Sequence, residues 1–395
     1  MKKKNKINYR ENFGKLNLGK KDLSWLKKEI DSKKKYFQNE NFKIRYNFKN
    51  IKKFNKFKTV VVLGMGGSIL GAEAIYFFLK RKIKKKFIFL NNLDYVKIKK
   101  LKKNYDFKKT LFIIISKSGN TLETLVISNL IKNKNIDSKN TIIITENKKN
   151  LLNEYSKKNF ITCIEHRPVG GRYSVFTEVG MVPAYLMGLK PRKFLDSQKN
   201  INSKVISSLV KSIFFLEQSY LNKKFNSIIF CCYSSQVEKF LYWTQQLIAE
   251  SLGKKNMGLM PIISLMPKDH HSLLQLYLDG PRDKLFYFFS GKTGKNLPIK
   301  KNLFGAKLQK LFRKDISKVV DAQKNALQDI FKKKGIPYKD FEIKDLDEQA
   351  LGELFSYFML ETVIIGNLVG INPFGQPAVE QVKVLTKKYL FESAK

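Results

Sequence analysis

Along most of the chain, short uninterrupted apolar runs alternate with longer stretches of helical period. Lys58-Thr-Val-Val-Val-Leu63 is one such run. It ends in Gly64-Met-Gly-Gly-Ser68, and the spacing of Ile69-Leu-Gly-Ala-Glu-Ala-Ile-Tyr-Phe-Phe78 beyond it predicts a helix. Thr110–Ile115 repeats this order, ending in Ser116-Lys-Ser-Gly-Asn-Thr121 ahead of a helical stretch over Leu122–Ile131, and Thr141–Thr145 reads as a third strand. Strands that are apolar along their whole length have no solvent-facing side, so they predict a parallel sheet covered on both faces by helices.

A polar stretch near 196–204 separates this unit from a second one of the same texture. Ile206–Leu221 is helical in period, Asn226–Cys232 is a strand, and Val237–Glu250 is again helical. Strands over Lys284–Phe289 and Tyr338–Ile343 flank a helix over Val319–Phe331, and Leu346–Val369 reads as a long apolar helix. The Lys- and Asn-rich start of the chain reads as a short helical arm. The pattern predicts an α/β protein of two α/β/α sandwiches with mainly parallel sheets. Its expected parts are an N-terminal arm at 1–50, sandwiches at 51–195 and 196–370, and a closing helix at 371–395.

Composition narrows the class. With 43% hydrophobic and 13% aromatic residues in a chain of 395, wholesale disorder is excluded. Three cysteines, two of them the adjacent Cys231 and Cys232, make no disulfide framework and point to a reducing compartment, the cytoplasm. No hydrophobic stretch reaches the roughly 18–20 uncharged residues of a membrane span; the best candidate, Phe358–Ile371, is interrupted by Glu361, so no membrane is expected as a partner. The basic N-terminus is followed by no apolar segment of the kind a secretory signal carries.

The formal net charge of +43 raises nucleic acid as a partner. Only eight of the 76 basic residues are arginine, the side chain best shaped to grip phosphates and base edges, and the lysines are scattered among Asn and Ile. That texture is what an AT-rich genome produces, and it predicts a solvated basic surface with no dedicated nucleic-acid face.

The chemistry is expected where the apolar runs end, because doubly wound sheets bind ligands at the carboxyl ends of their strands. Gly64, Gly66 and Gly67 permit close backbone approach, and the helix beyond them points its N-terminal amides the same way. Ser116, Ser118, Thr121 and Thr124 add hydroxyl donors suited to a phosphate monoester. The glycine loop lacks the GxGxxG spacing of a dinucleotide site and the GK[ST] ending of a P-loop. The three histidines and three cysteines lack HxxxH or CxxC spacing, so no metal site is expected.

The segments GMGGSILG and SKSGNTLET resemble the paired loops of sugar-isomerase (SIS) domains. Gly170-Gly-Arg-Tyr-Ser-Val175, Gln246-Leu-Ile-Ala-Glu-Ser-Leu-Gly253 and Gly370-Ile-Asn-Pro-Phe-Gly-Gln-Pro-Ala-Val-Glu-Gln-Val-Lys383 follow in order. Together they resemble the glucose-6-phosphate isomerase (phosphoglucose isomerase) family. The resemblance implies two SIS-type domains and a cofactor-free interconversion of glucose 6-phosphate and fructose 6-phosphate in glycolysis and gluconeogenesis.

An aldose–ketose isomerase opens a sugar ring and moves a proton between C1 and C2 through a cis-enediol. It needs a carboxylate base and a fixed cation at the developing charge. The resemblance makes Glu250 the base and Arg172 the cation, with Gln246 four residues before Glu250 on the same helix face, placed to orient the substrate. In Asp269-His-His-Ser272, the spacing to Gln275 and Gly280 favours His271 as the acid that protonates the ring oxygen. In the family that histidine is delivered by the neighbouring subunit, which implies a homodimer. By the same resemblance Lys383 assists ring opening, Gln376 contacts the phosphate end, and Gly67, Ser68, Ser116, Lys117, Ser118, Thr121 and Thr124 bind the sugar phosphate.

Gln376 and Lys383 lie seven residues apart in a helix expected to begin after Pro373, which puts them on one face. Two departures from the family pattern occur nearby, Gly375 where Asp is common and Ala378 where Gly is common. Glu380 and His166 read as structural. Rival readings are a bifunctional phosphoglucose/phosphomannose isomerase and a non-catalytic SIS-fold sensor of sugar phosphates. The Gln246/Glu250 and Gln376/Lys383 segments favour the monofunctional isomerase.

Overall fold

A computed structural model describes residues 6–14, 24–131, 137–199, 201–291, 297–301, 303–311 and 313–391. Ten strands run through it: β1 (Ile7–Asn12), β2 (Thr59–Leu63), β3 (Lys86–Leu90), β4 (Thr110–Ile115), β5 (Thr141–Thr145), β6 (Thr162–Glu165), β7 (Ser227–Cys232), β8 (Met260–Leu265), β9 (Lys284–Gly291) and β10 (Tyr338–Ile343). They form two five-stranded sheets, ordered β3-β2-β4-β5-β6 and β1-β10-β9-β7-β8. Every pairing is parallel except β1 with β10. In both sheets the strand order reverses after the second strand of its parallel set, so β2/β4 and β7/β9 are equivalent switch points. The wholly apolar runs β4, β5 and β7 are buried at every position, as their composition predicts.

The alternation of side chains along each strand divides the core. Val60, Val62, Ile113 and Ile142 on one face of the first sheet, and Phe230, Phe289 and Phe341 on one face of the second, join a single core with the helices between the sheets. The opposite faces close two smaller cores, one around Val61, Phe112 and Ile143 and one around Ile229, Phe286 and Phe288. The helix Glu238–Leu252, which lies in this middle layer, packs against Leu70–Phe78 from the first unit. The helix Glu348–Leu368 is long and apolar enough by composition to cross a membrane, yet 83% of its apolar window is buried in the protein. Glu361, the charge that interrupts its sequence, accepts hydrogen bonds from Ser212 Oγ at 2.5 Å and Tyr357 Oη at 3.1 Å inside that core.

Three local expectations are corrected. The arm at 1–50 is not simply helical. Ser24–Tyr36 is a helix, but Ile7–Asn12 is a strand on the open edge of β10, and residues 1–5 and 15–23 lie outside the described set. An edge strand is read from its partner, here some 330 positions away, where Tyr9 Oη donates to Glu353 at 2.8 Å and Lys6 Nζ to Asp347 at 2.6 Å. The polar stretch 196–204 is no simple linker. Pro191–Lys199 is a helix that buries Phe194 and Gln198, and the next helix starts at Ser203 with Asn202 capping Lys204 and Val205 amides.

The third correction is at the C-terminus. The last helix runs Ala378–Phe391, so Gln376 lies outside it and the same-face relation to Lys383 does not hold. Pro377 disfavours helical backbone at the residue before it, and Gly375 sits at φ +73°. Residues 392–395 of the expected closing helix lie outside the described set.

Candidate active site

Four segments meet at the carboxyl end of the first sheet. The loop after β2 carries the short 3₁₀ turn Gly66–Ser68, and the loop after β4 carries Ser116–Thr121. A 3₁₀ segment, Gly171–Phe176, carries Arg172, and the helix Glu238–Leu252 brings Gln246 and Glu250.

The glycines are required by protein neighbours. A Cβ at Gly64 would stand 3.0 Å from the Ile115 carbonyl, which seats the β2 loop on the end of β4. One at Gly66 would come within 2.6 Å of Gln246 Nε2, and one at Gly67 within 2.2 Å of the Gly171 carbonyl carbon. The GMGGS and GGR motifs are therefore two backbones in contact, a closeness only glycine allows. Their expected role in close approach to a ligand is thus joined by a second one that sequence reasoning did not foresee.

Around Glu250 the geometry is tight. Gln246 Nε2 donates to Glu250 Oε1 at 2.9 Å, and Arg172 Nη1 donates to Glu250 Oε2 at 3.0 Å. The guanidinium is almost fully buried whereas a third of the Glu250 side chain faces solvent, so the carboxylate is open to a ligand while its cation is fixed from behind. The other guanidinium edge, Nη2, donates to the carbonyl oxygens of Gly375 at 3.0 Å and Pro373 at 3.5 Å. Such a planar fork, bound on both edges, is specific to arginine.

The hydroxyl loop is ordered around a bond of 2.9 Å between Ser116 Oγ and Thr121 Oγ1. Ser118 is exposed, its Oγ accepting from the Asn120 amide at 3.2 Å, and Lys117 Nζ lies 3.7 Å from Glu146. Thr124, third in the helix Leu122–Ile131, is fully buried and its Oγ1 has no hydrogen-bond partner. Gln246 Oε1 is in the same condition. Buried polar atoms left without partners cost about 1–3 kcal/mol each, and two beside the glycine and hydroxyl loops mark a place where an incoming polar group is welcome.

His271 and Lys383 are not brought to Glu250. His271 is exposed at the end of the turn Lys268–His271, beyond the carboxyl end of β8, whereas Glu250 lies near the end of the helix that leads into the start of β8. The six residues of β8 alone separate the two ends by about 20 Å. Its neighbour His270 is engaged with Tyr233 Oη at 2.8 Å, and burial pushes its pKa down. Lys383 is on the exposed last helix with Nζ 2.6 Å from Glu380. Gln376 is exposed in the loop that leads to that helix. Among the departures noted above, Gly375 occupies a left-handed position that aspartate adopts less readily.

Three participants escaped sequence reasoning. Tyr173 Oη bonds Ser251 Oγ at 2.9 Å and donates to the Pro373 carbonyl at 3.2 Å. Phe374 packs on Tyr173, and Lys254 Nζ reaches the 372–375 carbonyls. Tyr173 and Lys254 are signalled only by their nearness to Arg172 and Glu250 in sequence, and Phe374 only by its place in the Gly370–Lys383 segment. His166 is buried with its pKa lowered to about 4, chiefly by that burial, which agrees with a structural role.

This architecture recurs in a solved protein. A solved structure of a hypothetical protein from Thermus thermophilus superposes with a TM-score of 0.82 over 97% of this chain and all of that one, at 23% identity. A glucose-6-phosphate isomerase of Methanocaldococcus jannaschii is 33% identical over 346 residues, 85% of each chain. One of Mycoplasmopsis synoviae is 33% identical over 385 residues, 91% of this chain and 88% of that one. The family profile described as phosphoglucose isomerase matches residues 25–259, a span that takes in both switch-point loops of the first sheet, Arg172 and Glu250. With relatives matched over most of both chains and the family profile in agreement, the chain belongs to the phosphoglucose isomerase family.

Proposed function

We propose that the chain is a glucose-6-phosphate isomerase working in the cytoplasm, in glycolysis and gluconeogenesis. The observation that carries the reading is a single cluster: a partly exposed carboxylate held by Gln246 at 2.9 Å and Arg172 at 3.0 Å, beside loops suited to a phosphate. Glu250 takes the C2 proton of the open-chain aldose and returns it to C1, while the O2 hydroxyl proton passes to O1, so that the C1 carbonyl becomes a hydroxyl and C2 the carbonyl. As the enediolate forms, Arg172 exchanges part of its bond to Glu250 for the new oxyanion, a stabilisation worth ~10²–10³ in rate. The Ser116–Thr121 loop with Lys117, the Gly67–Ser68 turn and the Thr124 hydroxyl hold the phosphate, and Gln376 approaches from the C-terminal loop.

Ring opening needs an acid that the chain does not bring to its own Glu250. His271 of a second copy is the proposed donor, which makes the homodimer the working unit. Lys383 is assigned to the same step, on a terminal helix that closes over the site. The division into SIS-type units at 51–195 and 196–370 belongs to the same proposal.

The test is a coupled assay of fructose 6-phosphate conversion with Glu250→Gln as the control. Loss of ~10²–10⁴ in kcat is expected for removal of a general base. A Glu250→Gln protein with full activity defeats the assignment. Comparable rates on mannose 6-phosphate would favour the bifunctional rival.

A further inference from the structure

The turn that ends the Glu250 helix grips the C-terminal segment. Lys255 and Asn256 are both left-handed, at φ +53° and +57°, and the Met257 amide donates to the Lys254 carbonyl at 3.0 Å, as in a type I′ turn. Asparagine accepts that backbone readily, but a lysine there is strained, and such strain persists where the surroundings hold it for a purpose. From this turn Lys254 Nζ donates to three carbonyl oxygens, those of Asn372 at 2.6 Å, Phe374 at 3.2 Å and Gly375 at 3.0 Å. Lys255 Nζ adds a fourth, to Gly370 at 2.9 Å.

An ammonium has three donors, and all three of Lys254 are spent on one four-residue stretch. Among the described residues no carboxylate lies within 4.0 Å of it as an ion-pair partner. The Gly375 carbonyl is shared: Lys254 approaches at 3.0 Å, and Arg172 Nη2 also at 3.0 Å. Lys254 is half-buried, and both Arg172 and Glu250 are close enough to act on its charge. The helix of the base, the buried arginine and the loop that carries Gln376 are thus tied together at one lysine.

We propose that Lys254 is a positioning residue for the isomerase reaction, fixing the 372–375 carbonyls so that Arg172 keeps its second edge bound and Gln376 keeps its place relative to Glu250. The proposal rests on the reading of Glu250 and Arg172 given above. It predicts that loosening the tether misplaces Arg172, the group that acts on the enediolate, so turnover suffers more than substrate binding.

Lys254→Met keeps the aliphatic stem and removes the three donors. Its kcat for fructose 6-phosphate is expected to fall about tenfold with KM changed less than about threefold, and Lys254→Arg to recover most of the loss. Combined with Gln376→Ala, the two losses in kcat are expected to be smaller together than their product, because tether and tethered act as one unit. Unchanged kcat in Lys254→Met, a rise in KM alone, or fully multiplicative losses in the double variant each overturn the proposal. Should Lys254→Met fail to fold, the same comparisons are made with Lys254→Gln. A Glu250→Gln protein that stays active would sink the underlying reading instead, whatever the Lys254 variants do.

Discussion

At the scale of single residues, the site is governed by what each side chain excludes as much as by what it binds. Gly67 illustrates this: its Cα faces the Gly171 backbone so closely that a methyl group has nowhere to go. Gly67→Ala is expected to cost about 1–3 kcal/mol through overpacking and to reduce kcat by at least tenfold, as the Arg172 segment is pushed off Glu250. Thermal melting alongside the coupled assay checks both halves, and a stable, fully active variant would show that the contact is dispensable. Glu250, Arg172 and the Ser116–Thr121 hydroxyls were legible through the resemblance of their segments to the isomerase family, with which the needs of enediol chemistry agree. The partners of those residues were not legible. Nothing near Arg172 in sequence indicates that it binds the Gly375 carbonyl some 200 positions later.

Elements divide into those read from composition and those read only from partners. β4 and β5 carry the boundaries their apolar runs predict, because full burial leaves few polar positions to blur the pattern. β1 is the opposite case, an edge strand whose register with β10 is held by ion pairs and by Tyr9 on Glu353. Burial raises the Glu353 carboxyl pKa from 4.5 to about 7, offset in part by the bond from Tyr9. Below pH about 4.5 the group is neutral in both folded and unfolded chains. Between about 4.5 and 7 the unfolded chain gives up a proton that the fold retains, so stability falls as pH rises, by at most about 3 kcal/mol. Glu353→Gln keeps an acceptor for Tyr9 and removes the titration. Its melting temperature is expected to gain on that of the parent from pH 4.5 to 8, and parallel curves would refute the link.

At the scale of the whole molecule, the two sheets share one core, so the Glu238–Leu252 helix that carries Glu250 is locked between them. The same architecture sets Glu250 before the start of β8 and His271 beyond its end, which is the reason for proposing that the acid comes from another copy. Mixing Glu250→Gln with His271→Ala protein tests this directly. After subunit exchange, half of the dimers are mixed and each has one complete site, so roughly a quarter of parental activity is expected from two inactive parents. Mixtures that stay inactive although the subunits have exchanged would show that His271 does not act across the dimer, and a His271→Ala parent with full activity would place it outside the mechanism. The amino-acid sequence by itself determined the two mainly parallel sheets, the glycine and hydroxyl loops and the Gln246/Glu250 helix, because apolar runs, glycine turns and i, i+4 spacing act over a few residues. Only the tertiary structure decided the edge pairing of β1, the contact of Gly67 with Gly171, the carbonyls gathered on Arg172 and Lys254, and the distance between Glu250 and His271. Each of these joins residues far apart in the chain, and packing or hydrogen bonding at that range leaves no local periodicity to read.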